Sequence, residues 1–324
     1  SKLETMRIAT IDVGTNTASL LVAARAGPTL RRLHTGEQFV RLGEGVDEHG
    51  RIGTAAQDRL IATLREQTHT ARRYGADDII IAATSAMRDA ANRADVVERV
   101  QDATGLSMEV LPGIDEAAWS FAAACAPFDN LRGSCLVVDV GGGSTELITG
   151  RNPASHRADP THAIRTRTSL DVGCVRLTER CLPPLPPPSH TVANVERLVD
   201  AALNDASLAV DHRSTLVGTA GTATALALVH AGPDSTTDAL AETGTVLTAD
   251  DIATWRDRLF AMTVDDIRAL HPEAMPGRAD VFPVGVLVLE RTMAHFGLDA
   301  LRVSPFELRY GLALRHLTHR SDAA

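Results

Sequence analysis

The residues best suited to chemistry lie in one stretch, Cys135–Leu147, which reads Cys-Leu-Val-Val-Asp-Val-Gly-Gly-Gly-Ser-Thr-Glu-Leu. Asp139 and Glu146 are hard oxygen donors of the kind Mg²⁺ takes, with Mn²⁺ as the alternative ion. Between them stand Gly141, Gly142 and Gly143, which carry no Cβ, so their amides can come close to an anion. Ser144 and Thr145 add hydroxyl donors. Two carboxylates flanking a glycine turn with hydroxyls read as a phosphate-plus-metal site. Taken alone, the stretch has an ordinary glycine hairpin as its lesser alternative.

A second copy of the pattern tips the balance. Ile8–Val13 ends in Asp12 and is followed by Gly14-Thr15-Asn16-Thr17 and a second apolar run, Leu20–Ala24. Both segments share strand, Asp, one residue, Gly, turn, hydroxyl, strand. Two such hairpins, each opening one half of the chain, predict duplicated domains facing each other across a cleft and gripping phosphates from both sides. A third place for phosphate is Gly218-Thr219-Ala220-Gly221-Thr222, a strand exit running into a helix whose first amides are unpaired; Gly221 and Thr222 are its candidate contacts.

Other reactive side chains sit at strand ends. Asp78–Ala83 reads as a buried strand, and Thr84–Asp89 leaves its carboxyl end, where ligands of open α/β sheets bind. Arg88 there offers a forked guanidinium to phosphate oxygens; a surface ion pair with Asp89 is the bland alternative. Asp115 and Glu116 open a helix running to about Ala126. The helix dipole alone accounts for acidic residues in that turn, whereas a functional reading turns one of them towards the cleft as a general base.

The elements that must position these groups follow from periodicity and turn chemistry. Leu136-Val137-Val138 is a strand buried on both faces. Leu30–Val40 reads as a third strand, Thr54 caps a helix to about Arg73, and Ser107–Leu111 is a further strand. Pro127–Arg132 is the expected hinge, giving domains 6–127 and 128–324, with the last helix, Glu307–Leu317, packing back on the first. Arg151–Arg167 is rich in Arg and His and reads as a solvated loop able to steer a polyanion. Leu182–Pro188 is a stiff proline connector.

Composition sets the class. The chain has 324 residues, 44% hydrophobic and 23% charged, as expected of a two-domain globular protein. No apolar run reaches the roughly 18 residues of a spanning helix, and no secretory signal pattern is read, so no membrane partner is expected. Cys125, Cys135, Cys174 and Cys181 form no Cys-x-x-Cys pair and read as free thiols, consistent with a cytoplasmic location. A formal charge of −9 argues against nucleic acid as partner but leaves room for a polyanion in a local basic groove.

Taken together and in order, six segments carry a resemblance. They are Asp12-Val-Gly-Thr-Asn-Thr, Thr84–Asn92 with Arg88, Gly113-Ile-Asp-Glu-Ala, Asp139-Val-Gly-Gly-Gly-Ser-Thr-Glu, Ser169-Leu-Asp-Val-Gly-Cys-Val-Arg-Leu-Thr-Glu and Gly218-Thr-Ala-Gly-Thr. The chain resembles the exopolyphosphatase / guanosine pentaphosphate phosphohydrolase family, in its short two-domain form, over Met6 to Leu317. That resemblance implies an α/β fold of two ribonuclease-H-like, actin-like ATPase domains flanking a central cleft. It implies hydrolysis of the terminal phosphoanhydride of inorganic polyphosphate. Guanosine pentaphosphate is the alternative substrate, and a non-catalytic phosphate or nucleotide sensor is the alternative of another class. By the same resemblance Glu116 is the base that orients and deprotonates water, and Asp115 has a secondary role. Asp139 and Glu146 hold Mg²⁺ with Asp12 opposite; Gly14, Thr15, Asn16, Arg88 and Gly141–Ser144 cradle phosphate. A homodimer is among the assemblies considered. Ser304-Pro-Phe-Glu-Leu-Arg-Tyr-Gly departs from the family's usual pattern at Phe306 and Tyr310.

Overall fold

Alternation along the first strand decides which way each side chain goes. In β1 (Arg7–Val13), Ala9, Ile11 and Val13 enter one apolar core with Leu60 and Leu64 of the helix Thr54–Arg73. Thr10 and Asp12 therefore take the other face. There the Thr10 hydroxyl donates to the Arg309 carbonyl at 2.6 Å. The same rule holds in the other sheet. Leu136, Val138 and Val140 of β6 (Ser134–Val140) enter a second core, which leaves Val137 and Asp139 on the opposite face.

These observations come from a computed structural model that describes residues 6–26, 29–128, 131, 133–151, 163–182, 184–237, 239–240 and 244–322. Half of the expected hinge (129, 130 and 132) and most of the basic stretch (152–162) lie outside the described residues. The chain divides into two compact units, one of Met6–Trp119 with Leu308–Asp322, the other of the described residues from Ser120 to Glu307.

In the first unit, β1 pairs antiparallel with β2 (Thr17–Ala26), and β2 antiparallel with β3 (Thr29–Phe39). β4 (Asp78–Ala83) lies parallel to β1, and β5 (Met108–Val110) parallel to β4, giving the order β3-β2-β1-β4-β5. The helices Thr54–Arg73 and Arg93–Thr104 pack against each other, the first on β2 and the second on β5. The C-terminal helix Leu308–Asp322 packs on β1 and β2, and at Gly311 it comes close to the helix Gly113–Cys125: a Cβ built there would lie 2.2 Å from the Trp119 carbonyl oxygen.

The second unit repeats the plan. β6 pairs antiparallel with β7 (Thr145–Arg151), and β7 antiparallel with β8 (Ile164–Leu170). β9 (Thr215–Thr219) lies parallel to β6, and β11 (Ala300–Val303) parallel to β9. One edge strand, β10 (Val246–Thr248), is added, so the order is β10-β11-β9-β6-β7-β8. The helices Ala220–Ala231 and Phe282–Phe296 cover the core beneath β6. Leu136, Val137 and Val138 are fully buried, as the continuous apolar run predicts.

One detail differs from expectation. The helix Thr54–Arg73 is capped by Gly53 in extended conformation with no side-chain bond, and Thr54 is its first residue. Tyr310 is buried in the first unit, where the Leu30 amide donates to it and burial raises its phenol pKa. No helix among the described residues is long and apolar enough to cross a membrane.

Candidate active site

In the first unit the turn after β1 is closed by the Gly14 amide donating to the Thr17 carbonyl at 2.8 Å. Its carbonyls are held from behind by the chain leaving β3. The Gly43 amide donates to Thr15 O, and the amides of Val40 and Arg41 both donate to Asn16 O, each at 2.9 Å. Thr15 is buried against Gly43, where a Cβ would lie 2.1 Å from the Thr15 methyl carbon. Among the described residues the amides of Thr15 and Asn16 donate to no main-chain acceptor, and the buried Asn16 Oδ1 accepts no hydrogen bond. Such a turn presents donors to an anion.

The exit of β4 lies beside that turn, because the Thr84 amide donates to the Val13 carbonyl at 3.1 Å. From the short helix Ser85–Asp89 the Arg88 side chain reaches Glu116, not Asp89. Its Nη1 donates to Glu116 Oε2 and, at 3.0 Å, to the Leu111 carbonyl. The two acids that open the helix Gly113–Cys125 part company. Asp115 is exposed, while Glu116 is 7% exposed. A dipole preference would suit either residue in solvent; it does not account for burying one of them against a guanidinium.

In the second unit the glycine turn is closed by the Gly141 amide donating to Ser144 O at 2.9 Å. Strand register puts Asp139 opposite Glu146, Glu146 opposite Ser169 and Asp139 opposite Thr219. Directly opposed residues share a face, so these four form one polar row across four strands. Glu146 is 1% exposed and accepts from the Ser169 hydroxyl at 2.8 Å; Asp139 is 8% exposed.

Two buried carboxylates side by side repel each other, and a divalent cation relieves that repulsion. The pair therefore fits a hard cation of the Mg²⁺ type, which takes one or two carboxylates and fills its shell with water and phosphate oxygens. Among the described residues no cluster of three or more His, Cys, Asp and Glu could hold an ion by itself.

Thr145 and Thr222 have interior duties. Thr145 is fully buried and its hydroxyl donates to the Val172 carbonyl. The Thr222 hydroxyl donates to Val140 O at 3.0 Å, tying the helix Ala220–Ala231 to the end of β6. Gly285 comes down directly on Thr222, so close that a Cβ would lie 2.8 Å from its methyl. Gly221 is covered by Arg278, whose Nη1 is 2.5 Å from where a Cβ would stand. Ala220 opens the helix at φ 61°, a left-handed conformation rare for alanine. The Thr219 hydroxyl donates to the Phe306 carbonyl, which fixes the corner after β11 to the same turn.

Sequence reasoning assigned no role to Gly43, Gly173, Arg176 or Arg278. The signal available for Gly43 and Gly173 was a glycine just beyond the third strand of each half. Nothing local marks the two arginines.

Residues 21–320 match the model of the Ppx/GppA phosphatase family. Exopolyphosphatase 2 of Mycobacterium tuberculosis is 35% identical over 323 residues, covering 95% of this chain and 98% of that one. A solved exopolyphosphatase-like protein superposes with a TM-score of 0.86 at 29% identity, covering 97% of this chain and 100% of the other. The Aquifex aeolicus Ppx/GppA family member superposes at 0.79 with 27% identity, covering 97% and 98%. The two five-strand plans, seen beside these neighbours, are those of the actin-like fold.

Proposed function

The chain belongs to the Ppx/GppA phosphatase family, and from that premise we propose that it is an exopolyphosphatase, releasing orthophosphate from the end of inorganic polyphosphate. The observation that carries the chemistry is the buried Glu116 held by Arg88 at the carboxyl ends of β1 and β4. Phosphoryl transfer to water asks a protein mainly for positioning and charge stabilisation. Glu116 orients the attacking water and takes its proton. The new bond joins the water oxygen to the terminal phosphorus. The bridging P–O bond breaks, and its electron pair leaves on the shortened chain.

Arg88 and the amides of Thr15 and Asn16 hold the oxygens of the transferred group, and the amides of Gly142, Gly143 and Ser144 hold phosphate in the same manner. Asp139 and Glu146 would hold the divalent cation, Mg²⁺ in this reading. When bound, that ion offsets charge on phosphate oxygens. The Thr145 and Thr222 hydroxyls keep the turns in shape by donating to interior carbonyls.

Guanosine pentaphosphate offers the same terminal anhydride and is the second reading, favoured by a family whose name joins Ppx with GppA. The test is phosphate release with Mg²⁺ from long-chain polyphosphate, tripolyphosphate, guanosine pentaphosphate and ATP side by side. Fastest release from long-chain polyphosphate is expected. Release from guanosine pentaphosphate alone would replace the first reading by the second, and no release from any of the four would remove both.

A further inference from the structure

The glycine turn of the second unit is gripped by a single short segment, Gly173–Arg176. The Cys174 amide donates to Gly141 O at 2.9 Å. The amides of Val175 and Arg176 donate to Gly142 O at 2.9 and 3.0 Å. The third carbonyl, Gly143 O, is taken by a side chain, with Arg176 Nε donating at 2.7 Å. Gly173 lets the segment come this close, since a Cβ there would lie 2.4 Å from Gly142 O.

Peptide planarity turns this grip into something useful. Across a trans peptide the carbonyl of one residue and the amide of the next point in opposite directions. Among the described residues only Leu185–Pro186 is cis. Holding the carbonyls of 141, 142 and 143 on one side therefore aims the amides of Gly142, Gly143 and Ser144 at the other. Among the described residues those three amides donate to no main-chain acceptor.

We propose that Arg176 is a positioning residue for the phosphatase reaction, aiming the Ser144 amide at phosphate by holding the Gly143 carbonyl through its Nε. The proposal rests on the polyphosphate reading for its substrate. It assigns a role to the arginine of the Ser169–Glu179 block, which the mechanism above leaves without one. A charged donor suits this place, because its hydrogen bonds are shorter and stronger than neutral ones. Peptide 143–144 is also the only one of the three with no main-chain clasp.

Two substitutions separate the donor from the charge. Gln places its amide nitrogen where Arg carries Nε, so Arg176→Gln keeps a donor to Gly143 O without the cation. Arg176→Met keeps the apolar stem and removes the donor. With long-chain polyphosphate, Arg176→Met should lose roughly 10–100-fold in kcat/KM, short of deleting an oxyanion donor outright. Arg176→Gln should stay within about threefold of the unmodified chain, the scale of one weakened hydrogen bond. Thermal melting run alongside should move both variants alike. Equal activity losses in the two variants would overturn the proposal, because charge and not the Nε donor would then matter. Full activity in Arg176→Met would overturn it as well.

A readout independent of turnover is the amide NMR spectrum titrated with tripolyphosphate without metal. The Ser144 amide should respond in the unmodified chain and in Arg176→Gln, and lose that response in Arg176→Met. If the unmodified chain hydrolyses no polyphosphate while this pattern holds, the function falls and the positioning role stands. A Ser144 amide indifferent to tripolyphosphate in the unmodified chain would overturn the positioning role itself.

Discussion

Consider Glu116→Gln, which keeps the shape of the side chain and removes its charge and basicity. Glu116 accepts from Arg88, and the two side chains are 9% and 20% exposed, so solvent screening is limited. Glutamine still offers Arg88 a carbonyl oxygen. What is lost is charge assistance, the difference between roughly 1.5–3 kcal/mol for a charged hydrogen bond and roughly 0.5–1.5 for a neutral one. The carboxylate also sits in the first turn of its helix, worth about 0.3–1 kcal/mol more. The expected destabilisation is therefore about 1–2 kcal/mol, a fall in melting temperature of roughly 2–8 °C. Losing a general base costs far more in rate, roughly 10²–10⁴-fold, equivalent to about 3–5 kcal/mol of barrier. The activity effect should exceed the stability effect severalfold, and it should appear in kcat rather than KM. Asp115→Asn, on an exposed side chain, should change both by little. The assay is steady-state orthophosphate release from long-chain polyphosphate, with thermal melting of the same samples. Turnover of Glu116→Gln within about threefold of the unmodified chain would refute the assignment; so would a dead Asp115→Asn beside an active Glu116→Gln.

Three further outcomes are expected. Gly173→Ala would drive a Cβ into the backbone of Gly142 and Gly143, so it should destabilise by about 1–3 kcal/mol and lower kcat/KM beyond what melting accounts for; wild-type activity would contradict the clasp. Excess chelator should abolish phosphate release and Mg²⁺ restore it, and Asp139→Asn should raise the Mg²⁺ concentration for half-activity; release unchanged by chelator would sink the metal role. The thiol of Cys174 is pushed up to about 11, mainly by burial. A raised pKa contributes stability that is complete below the ordinary thiol value and is lost as pH climbs through the folded one, so between about pH 8.5 and 11 this chain should lose roughly 3 kcal/mol relative to Cys174→Ala. Denaturant titrations of both across that range check the sign, and parallel curves would reject it.

What was legible in the sequence is what local pattern encodes. The continuous apolar run Leu136–Val138 is the fully buried strand it reads as, and Asp78–Ala83 begins and ends where its apolar run and turn residues place it. The illegible parts are tertiary. Arg88 stands next to Asp89 in sequence, and only the fold brings Glu116, 28 residues on, to its guanidinium. The amphipathic helix Arg93–Thr104 went unremarked because its apolar face is short, with only Val96 and Val100 buried. Thr145 reads as a ligand because a hydroxyl in a glycine turn has the right chemistry, and Thr222 because it stands among the first amides of a helix; neither reading shows where the hydroxyl goes. Their acceptors, Val172 O and Val140 O, lie 27 and 82 residues away.

The two turns share one device. Each is held by the chain leaving the third strand of its own sheet, so duplication preserved the device as well as the fold. In the first unit the turn carries a side chain, Thr15, and the clasp yields with Gly43, where a Cβ would lie 2.1 Å from the Thr15 methyl. In the second the clasp yields again, with Gly173, where a Cβ would lie 2.4 Å from the Gly142 carbonyl oxygen. Close backbone approach requires one side of each contact to be bare. Gly43→Ala and Gly173→Ala should therefore disturb their respective turns for the same steric reason and from the same side of the contact.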